Sequence, residues 1–408
     1  MKLIGPFTEI ITLSGIPDKG GIKDEALQVI KQGGVLLDDQ GYILQVEVFE
    51  HLSKGQDLEI EWIEGQQVLL PGFIDCHTHL CFEGSRARDY ALRVSGKTYL
   101  EIAQAGGGIW DTVQHTRSAD PDHLLQGSLA RVRAHAKRGI TTIEVKSGYG
   151  LETRAELTLL RCIRAMQEQT PIDLIPTCLA AHMKPKDFKG SETAYLEHII
   201  KDLLPKVKAE NLAGRVDIFI ETSAFTVDQG KAFLKRARAS GFDLTVHADQ
   251  FTPGGSMLAI QQGAVSADHL EASASKEIQA LGQAGTVAVA LPGASIGLGM
   301  SFAPARALLD AGACVAIASD WNPGSAPMGD LLTQACILGT FEKLGIAETL
   351  SGLCFRAAKA LNLRDRGRLI SGMLGDMQAY PCADYREIFY HQGQLKPTMV
   401  WKNGKILM

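Results

Sequence analysis

The chain of 408 residues lacks several features that would narrow its class at once. It has eight cysteines, yet Cys76, Cys81, Cys162, Cys178, Cys314, Cys336, Cys354 and Cys382 are scattered singly and form no Cys-x-x-Cys. Several lie in apolar runs such as Ala313-Cys314-Val315-Ala316-Ile317, where a free thiol acts as a small hydrophobe. A disulfide framework is therefore not expected. No segment approaches the ~18 apolar residues of a membrane span. Met1-Lys2-Leu3-Ile4-Gly5-Pro6 lacks the continuous apolar core of a secretory signal. No Lys/Arg cluster offers a surface for nucleic acid, and no internal repeat or low-complexity segment stands out. These absences predict a cytoplasmic globular protein whose partner is a small molecule, with no nucleic acid and no membrane. At a net charge of −5, an anionic substrate needs a local cation, because the global field does not attract it.

What is present is ordinary in bulk, 45% hydrophobic and 21% charged residues, but ordered in sequence. Eight short apolar, β-branched runs lie between residues 68 and 319: Val68–Asp75, Ile140–Lys146, Asp173–Leu179, Val216–Ile220, Asp243–His247, Ala264–Asp268, Thr286–Leu291 and Cys314–Ser319. Helical patterns separate most of them, as at His123–Arg138, Arg154–Gln167, Ala194–Ala209, Val227–Ala239, Ser275–Ala284 and Pro304–Ala311. Glycines stand near the helix ends, at Gly139, Gly241, Gly263, Gly285 and Gly312, where a helix stop is expected. Continuous apolar strands alternating with helices indicate a parallel sheet. Eight units favour a closed (β/α)8 TIM-like barrel over an open doubly wound sheet. The ends read differently. Residues 1–67 alternate and turn at Asp39-Gln40-Gly41, and the tail closes on an Asn403-Gly404 hairpin. Neither end buries much alone, so residues 1–67 and 368–408 are expected to pair into a small flanking β-domain built from both termini. Residues 68–367 would form the barrel.

Active sites of such barrels lie at the C-terminal ends of the strands, and five of the eleven histidines fall there. His77 and His79 follow the first run. Residues i and i+2 of an extended segment share a face, so the pair aims two imidazoles at one point. Arg86 lies in the same loop. Lys146-Ser147-Gly148-Tyr149 follows the second run, His182 the third, Glu221 the fourth, and His247 with Asp249 and Gln250 the fifth. Asp268-His269 ends the sixth. Asp320, then Asn322-Pro323-Gly324-Ser325, follows the eighth. A lone His182 or His269 is commonly a hydrogen-bonded structural residue, an Asp after a strand is commonly a helix cap, and Glu221 reads as a loop carboxylate. Two histidines on one strand, a third several strands on and an Asp at the last converge if the sheet closes. Three imidazoles and a carboxylate suit one divalent or trivalent transition metal, zinc or iron. The remaining histidines, His51, His115, His123, His135, His198 and His391, fall in helical or terminal segments and read as structural or solvated. Gly106-Gly107-Gly108 follows no strand and lacks the Lys-Ser/Thr of a phosphate cradle, so it reads as a mobile loop near the site.

The words Pro71-Gly72-Phe73-Ile74-Asp75-x-His77-Thr78-His79, a later strand-end histidine and a final strand-end aspartate resemble the amidohydrolase superfamily. Longer words extend the likeness across the barrel: Gly106-Gly107-Gly108-Ile109, Glu144-Val145-Lys146-Ser147-Gly148-Tyr149-Gly150-Leu151, His247-Ala248-Asp249-Gln250, Ser266-Ala267-Asp268-His269-Leu270 and Asp320-x-Asn322-Pro323-Gly324-Ser325. They are similar to the members that open the ring of 4-imidazolone-5-propanoate in histidine degradation, giving N-formimidoyl-L-glutamate. The resemblance implies that His77, His79, His247 and Asp320 hold one metal, that Asp320 and His269 are catalytic, and that Arg86, Tyr149, His182, Gln250, Asn322, Gly324 and Ser325 meet the substrate. Arg86 offers a fork that fits a propionate, and a Gly-Tyr-Gly loop is a poor place to bury a ring, so Tyr149 is expected to face the site. Position 250 is Gln where some relatives carry Glu; an amide exchanges no proton at neutral pH, which leaves the base role to Asp320 or His269. Cys76 and Trp321 are further local departures. A carbamylated Lys146 is not expected, because a single metal suffices. Two other readings compete. A deaminase on the same barrel would have no carboxylate for Arg86 to hold, and a metal-binding scaffold protein would show broken ligand positions, whereas all four are intact. Oligomeric state is open, with a homodimer the usual prior.

Overall fold

The computed structural model describes residues 1–54, 58–98, 101–102 and 105–408. Two sheets organise it. The first gathers both ends of the chain: β1 (Lys2–Ile11), β2 (Val29–Leu37), β3 (Ile43–Val48), β4 (Glu59–Trp62) and β5 (Val68–Pro71), joined by β14 (Met377–Tyr380), β15 (Met399–Lys402) and β16 (Lys405–Ile406). Their order is β16-β15-β14-β5-β1-β2-β3, with β4 also beside β1. Both expected hairpins form, β2 with β3 and β15 with β16. The second turn has positive φ at Asn403 and Gly404, the backbone twist that matches flanking strands. The face beneath is apolar, with Phe7 and Trp401 packed edge-on at 6.0 Å.

The second sheet is parallel and runs in chain order through β6 (Phe73–Asp75), β7 (Ile140–Lys146), β8 (Asp173–Ala181), β9 (Arg215–Phe219), β10 (Asp243–Ala248), β11 (Ser266–His269), β12 (Val287–Ala290) and β13 (Val315–Ile317). Every residue of β7, β9, β11 and β12 is buried, as strands covered on both faces must be. The run Val68–Asp75 divides at Gly72. Val68–Pro71 pairs with β1 and β14 in the terminal sheet, and only Phe73–Asp75 enters the barrel. Gly72 makes the crossing possible, since a Cβ there would lie 2.5 Å from Thr141 Oγ1.

The outer helices follow the sequence pattern closely, at Pro121–Ala136, Thr153–Gln167, Val227–Ala239, Ser275–Gln283 and Ala305–Asp310. The expected helix over 194–209 is interrupted by a π segment, Ile199–Leu203, just before Pro205. Proline has no N–H to close the α pattern there. Four of the five glycines stop their helices with positive φ; Gly285 does not, because the helix before it ends extended at Ala284.

Closure between the first and last strands is made beyond their ends. Thr78 bridges Trp321, Asp320 N–H donates to His77 O at 3.0 Å, and His79 N–H donates to Trp321 O at 2.9 Å. Below this seam Asp75 accepts from Ser319 N–H at 3.0 Å and from its hydroxyl. The terminal sheet is bound to the barrel by Lys402, buried between Asp376 at 2.6 Å and Asp173 at 2.7 Å.

Candidate active site

His77 and His79 emerge just past β6, and the Thr78 bridge keeps the alternation of an extended strand. Thr78 turns away, its hydroxyl donating to Glu144 O at 2.6 Å, while the flanking imidazoles point inward together. His247, on β10, meets them. Nε2 of His79 lies 3.3 Å from Nε2 of His77 and 3.2 Å from Nε2 of His247. Asp320 Oδ1 stands 3.4 Å from His79 Nε2 and 3.6 Å from His77 Nε2.

Two of the rings are aimed by carboxylates behind them. His77 Nδ1 contacts Asp268 Oδ2 at 2.7 Å, and His247 Nδ1 contacts Asp217 Oδ2 at 2.8 Å. A proton on each Nδ1 leaves each Nε2 as a lone pair, the tautomer a metal requires. Burial, with cationic and imidazole neighbours, holds His77 and His79 well below the usual histidine range; burial takes His247 down to about 3, even against Asp217. The lone pairs of His77 and His247 thus converge on Nε2 of His79, an arrangement that a cation at the centre satisfies. Nitrogens at ~2.0–2.1 Å around a tetrahedral ion sit about 3.3 Å apart, so the residues present fit a transition metal.

Lys146 lies below them, its ammonium 2.8 Å from Glu144 Oε1 and 2.9 Å from Asp217 Oδ2. Burial opposes its charge, but the two carboxylates outweigh this and raise its pKa. A lysine so held stays an ammonium and is no candidate for carbamylation. Asp217 is correspondingly held low, burial being outweighed by His247 and Lys146.

Around this centre a cavity of about 590 Å³ is lined by His79, His247, Asp320, His269, Arg86, Tyr149, His182, Gln250, Asn322, Gly324 and Ser325, among others. All the residues expected to bind or act on a substrate therefore share one enclosure. His269 ends β11 with φ +91°, a conformation costly for a non-glycine residue. Burial disfavours its charge, but Glu271 Oε2 at 3.5 Å overcomes this and raises its pKa. Asp320, at φ +51°, is pushed up by burial to about 6 despite His269 and Asn322. His182 Nδ1 contacts Gly148 O at 3.0 Å, and burial brings its pKa to about 4. Asn322 spends its amide on its own loop: Nδ2 donates to Asp320 O and Ser325 Oγ, and Oδ1 accepts from Gly324 and Ser325 N–H, at 2.7–2.9 Å. All four hydrogen-bonding positions of an amide are then filled. Tyr149 faces the site but is also buried, 4% exposed, its ring against His79, His182 and Phe82. The Gly-Tyr-Gly loop can turn inward because Glu156, in the first turn of the next helix, accepts from Gly148, Gly150 and Leu151 N–H.

Several supporting carboxylates escaped the sequence reading. Glu221 is no plain loop residue. It is 4% exposed and accepts from Phe251 and Thr252 N–H, each at 3.0 Å, and from the Thr222 and Thr252 hydroxyls, which pins the loop that carries Gln250. Asp217 was visible as a lone charge inside Val216-Asp217-Ile218-Phe219, since a carboxylate within a buried strand requires a partner.

A family model described as "Amidohydrolase family" matches residues 68–407. The solved structures of similar fold include an atrazine chlorohydrolase from Arthrobacter aurescens TC1 complexed with zinc, with TM-score 0.70 and 16% identity over 100% of this chain and 95% of that one. An adenosine deaminase from Xanthomonas campestris with bound zinc gives TM-score 0.70 and 16% identity over 99% of this chain and 92% of that one. At such identity these share the fold alone. The chain belongs to the amidohydrolase family. Its sequence relatives narrow this further. The imidazolonepropionase of Symbiobacterium thermophilum is 40% identical across 98% of this chain and 95% of its own length. That of Myxococcus xanthus is 43% identical, covering 82% and 80%, and that of Bacillus cytotoxicus 38%, covering 95% and 93%. Within the amidohydrolases, the imidazolonepropionases are the branch to which it belongs.

Proposed function

We propose that this protein hydrolyses the ring amide of 4-imidazolone-5-propanoate to N-formimidoyl-L-glutamate, a step of histidine degradation, with one metal held by His77, His79, His247 and Asp320. The observation that carries the reading is the shared cavity: Arg86 lines the same enclosure as His79, His247 and Asp320. A ring with a propionate tail calls for both groups, a cation for the tail and the metal site for the carbonyl.

When bound, the metal supplies Lewis acidity, polarising a carbonyl and lowering the pKa of water to ~7. Zinc and iron both suit the donor set. Arg86 holds the propionate, with Tyr149 and His182 beside the ring. Asp320 takes the proton of the attacking water as its oxygen adds to the ring carbonyl carbon, then returns it to the ring nitrogen as the C–N bond breaks. His269, kept basic by Glu271, stabilises the oxyanion. Gln250 orients through hydrogen bonds and moves no proton.

The test combines metal analysis of purified protein with the loss of ultraviolet absorbance as imidazolone propionate is consumed. Asp320→Asn should abolish turnover with an unchanged circular dichroism spectrum. Full activity in that variant would remove Asp320 from the base role, and no turnover by the metal-loaded native protein would reject the substrate.

A further inference from the structure

Arg86 and Asp89 flank the start of the helix Ala87–Val94, one turn apart and on one face. Both are buried, with side chains 6% and 4% exposed. Asp89 Oδ2 accepts from Arg86 Nε and also from Gly108 N–H at 2.9 Å. Its other oxygen faces Gly107, where a Cβ would lie 2.2 Å away. Across the cavity Arg86 Nη1 rests on the loop after β13, 3.0 Å from where a Cβ on Gly324 would stand. The guanidinium is therefore gripped at Nε from behind, and its Nη edge is turned to the cavity that it lines with Gly324.

We propose that Asp89 is the positioning residue of the substrate clamp: it fixes the aim of Arg86 and couples that aim to the seating of Gly107 and Gly108. This rests on the reading that Arg86 holds the substrate carboxylate. An arginine carries considerable side-chain entropy and binds a carboxylate well only when its fork is pre-organised. Asp89 supplies that pre-organisation from the one nitrogen the bidentate Nη edge does not need. It also supplies an opposing charge, and the two effects have opposite signs. Loss of the charge alone would strengthen attraction for an anion, whereas loss of the grip weakens the fork. Orientation dominates, because the pair is buried and the field of a misaimed guanidinium does not replace two aligned hydrogen bonds.

The experiment measures steady-state kinetics of Asp89→Ala, Asp89→Asn and Gly107→Ala on imidazolone propionate and on its neutral propanamide analogue. Expected are a rise in KM for the carboxylate of about tenfold, kcat within about threefold, and unchanged kcat/KM for the amide. Gly107→Ala should reproduce the pattern by displacing Asp89, and it carries the test if Asp89→Ala does not fold. Equal losses on both substrates would make Asp89 merely structural and overturn the proposal. An unchanged or lowered KM for the carboxylate would do the same, showing that its charge outweighs its grip. Arg86→Ala is the control for the underlying reading: if it affects the two substrates alike, Arg86 is not the clamp, whatever Asp89 does.

Discussion

Replacing Asp217 by asparagine removes one charge from a buried chain that runs Glu144, Lys146, Asp217, His247, and it separates two functions of that carboxylate. Toward Lys146, Asp217 is half of a counter-charge, at 2.9 Å beside Glu144 at 2.8 Å. Toward His247 it is the acceptor that fixes the tautomer, at 2.8 Å. Asparagine is isosteric and can still offer an oxygen to Nδ1, but it no longer raises the donor strength of Nε2. Loss of such a partner costs about 10–100-fold in metal affinity, or about 1.4–2.7 kcal/mol. The apoprotein loses the charge of the Lys146 contact while Glu144 still neutralises Lys146, and an amide NH2 meets the backbone N–H of His247 where Asp217 Oδ1 accepted at 3.2 Å, a combined cost of at least about 1.5–3 kcal/mol. Competition for zinc against a chromophoric chelator gives the first quantity, and urea unfolding of the metal-free protein gives the second. A variant destabilised by that amount but binding zinc within threefold of the native protein would refute the reasoning. Asp217 would then be only the lysine's partner, and His247 would hold its tautomer unaided.

Two further outcomes follow from the same geometry. Glu221→Ala should release the Phe251-Thr252 turn and misplace Gln250, lowering kcat/KM by about 10-fold or more while metal content stays at the native value; an unaffected kcat/KM would show that Glu221 does not set the position of Gln250. The metal-free protein should lose stability as pH falls from about 6.5 to about 4, measured as the urea midpoint at each pH. His182 and His247 are depressed to about 4 and about 3, and His77 and His79 are also lowered, so across that window these four rings bind fewer protons in the native chain than in the unfolded one, while Asp320 and Asp268, raised to about 6 and about 7, bind more and offset part of the effect. The four rings make stability rise with pH, by up to about 1.4 kcal/mol per pH unit each before that offset, and stability that falls as pH rises through the window would mean that these rings are protonated in the folded state.

The parts of this architecture that are periodic were legible in the sequence. Eight apolar runs and the helices between them announce the barrel, because strands buried on both faces and helices buried on one leave different spacings. The metal-facing histidines were legible for a related reason, since strand exits can be located once the runs are. The division of Val68–Asp75 at Gly72 was not, because both halves are equally apolar and only the tertiary partners, β14 on one side and β7 on the other, separate them. Nor was the burial of the Tyr149 ring, which depends on Glu156 reaching back to three backbone N–H groups. Local pattern shows that Asp217, a charge inside a buried strand, needs a partner and that Asp89 lies one turn from Arg86, but it carries no trace of the distant partners, Lys146 and His247 for Asp217, the Gly108 amide for Asp89 and the Phe251-Thr252 amides for Glu221.

The seam that closes the barrel runs through the backbone of residues proposed to bind the metal: His77 O to Asp320 N–H, and His79 N–H to Trp321 O. Some 240 residues of chain lie between its two sides. The site thus has no local precursor along the folding route, because its geometry exists only once the first and last strands meet. An ion held across that junction would act as a reversible cross-link over a very long loop, and by the chain-entropy relation for disulfides such a link is worth about 5.5 kcal/mol. Metal occupancy and the resistance of the whole barrel to opening are then one property, and stripping the ion should loosen the fold first at the junction where its chemistry resides.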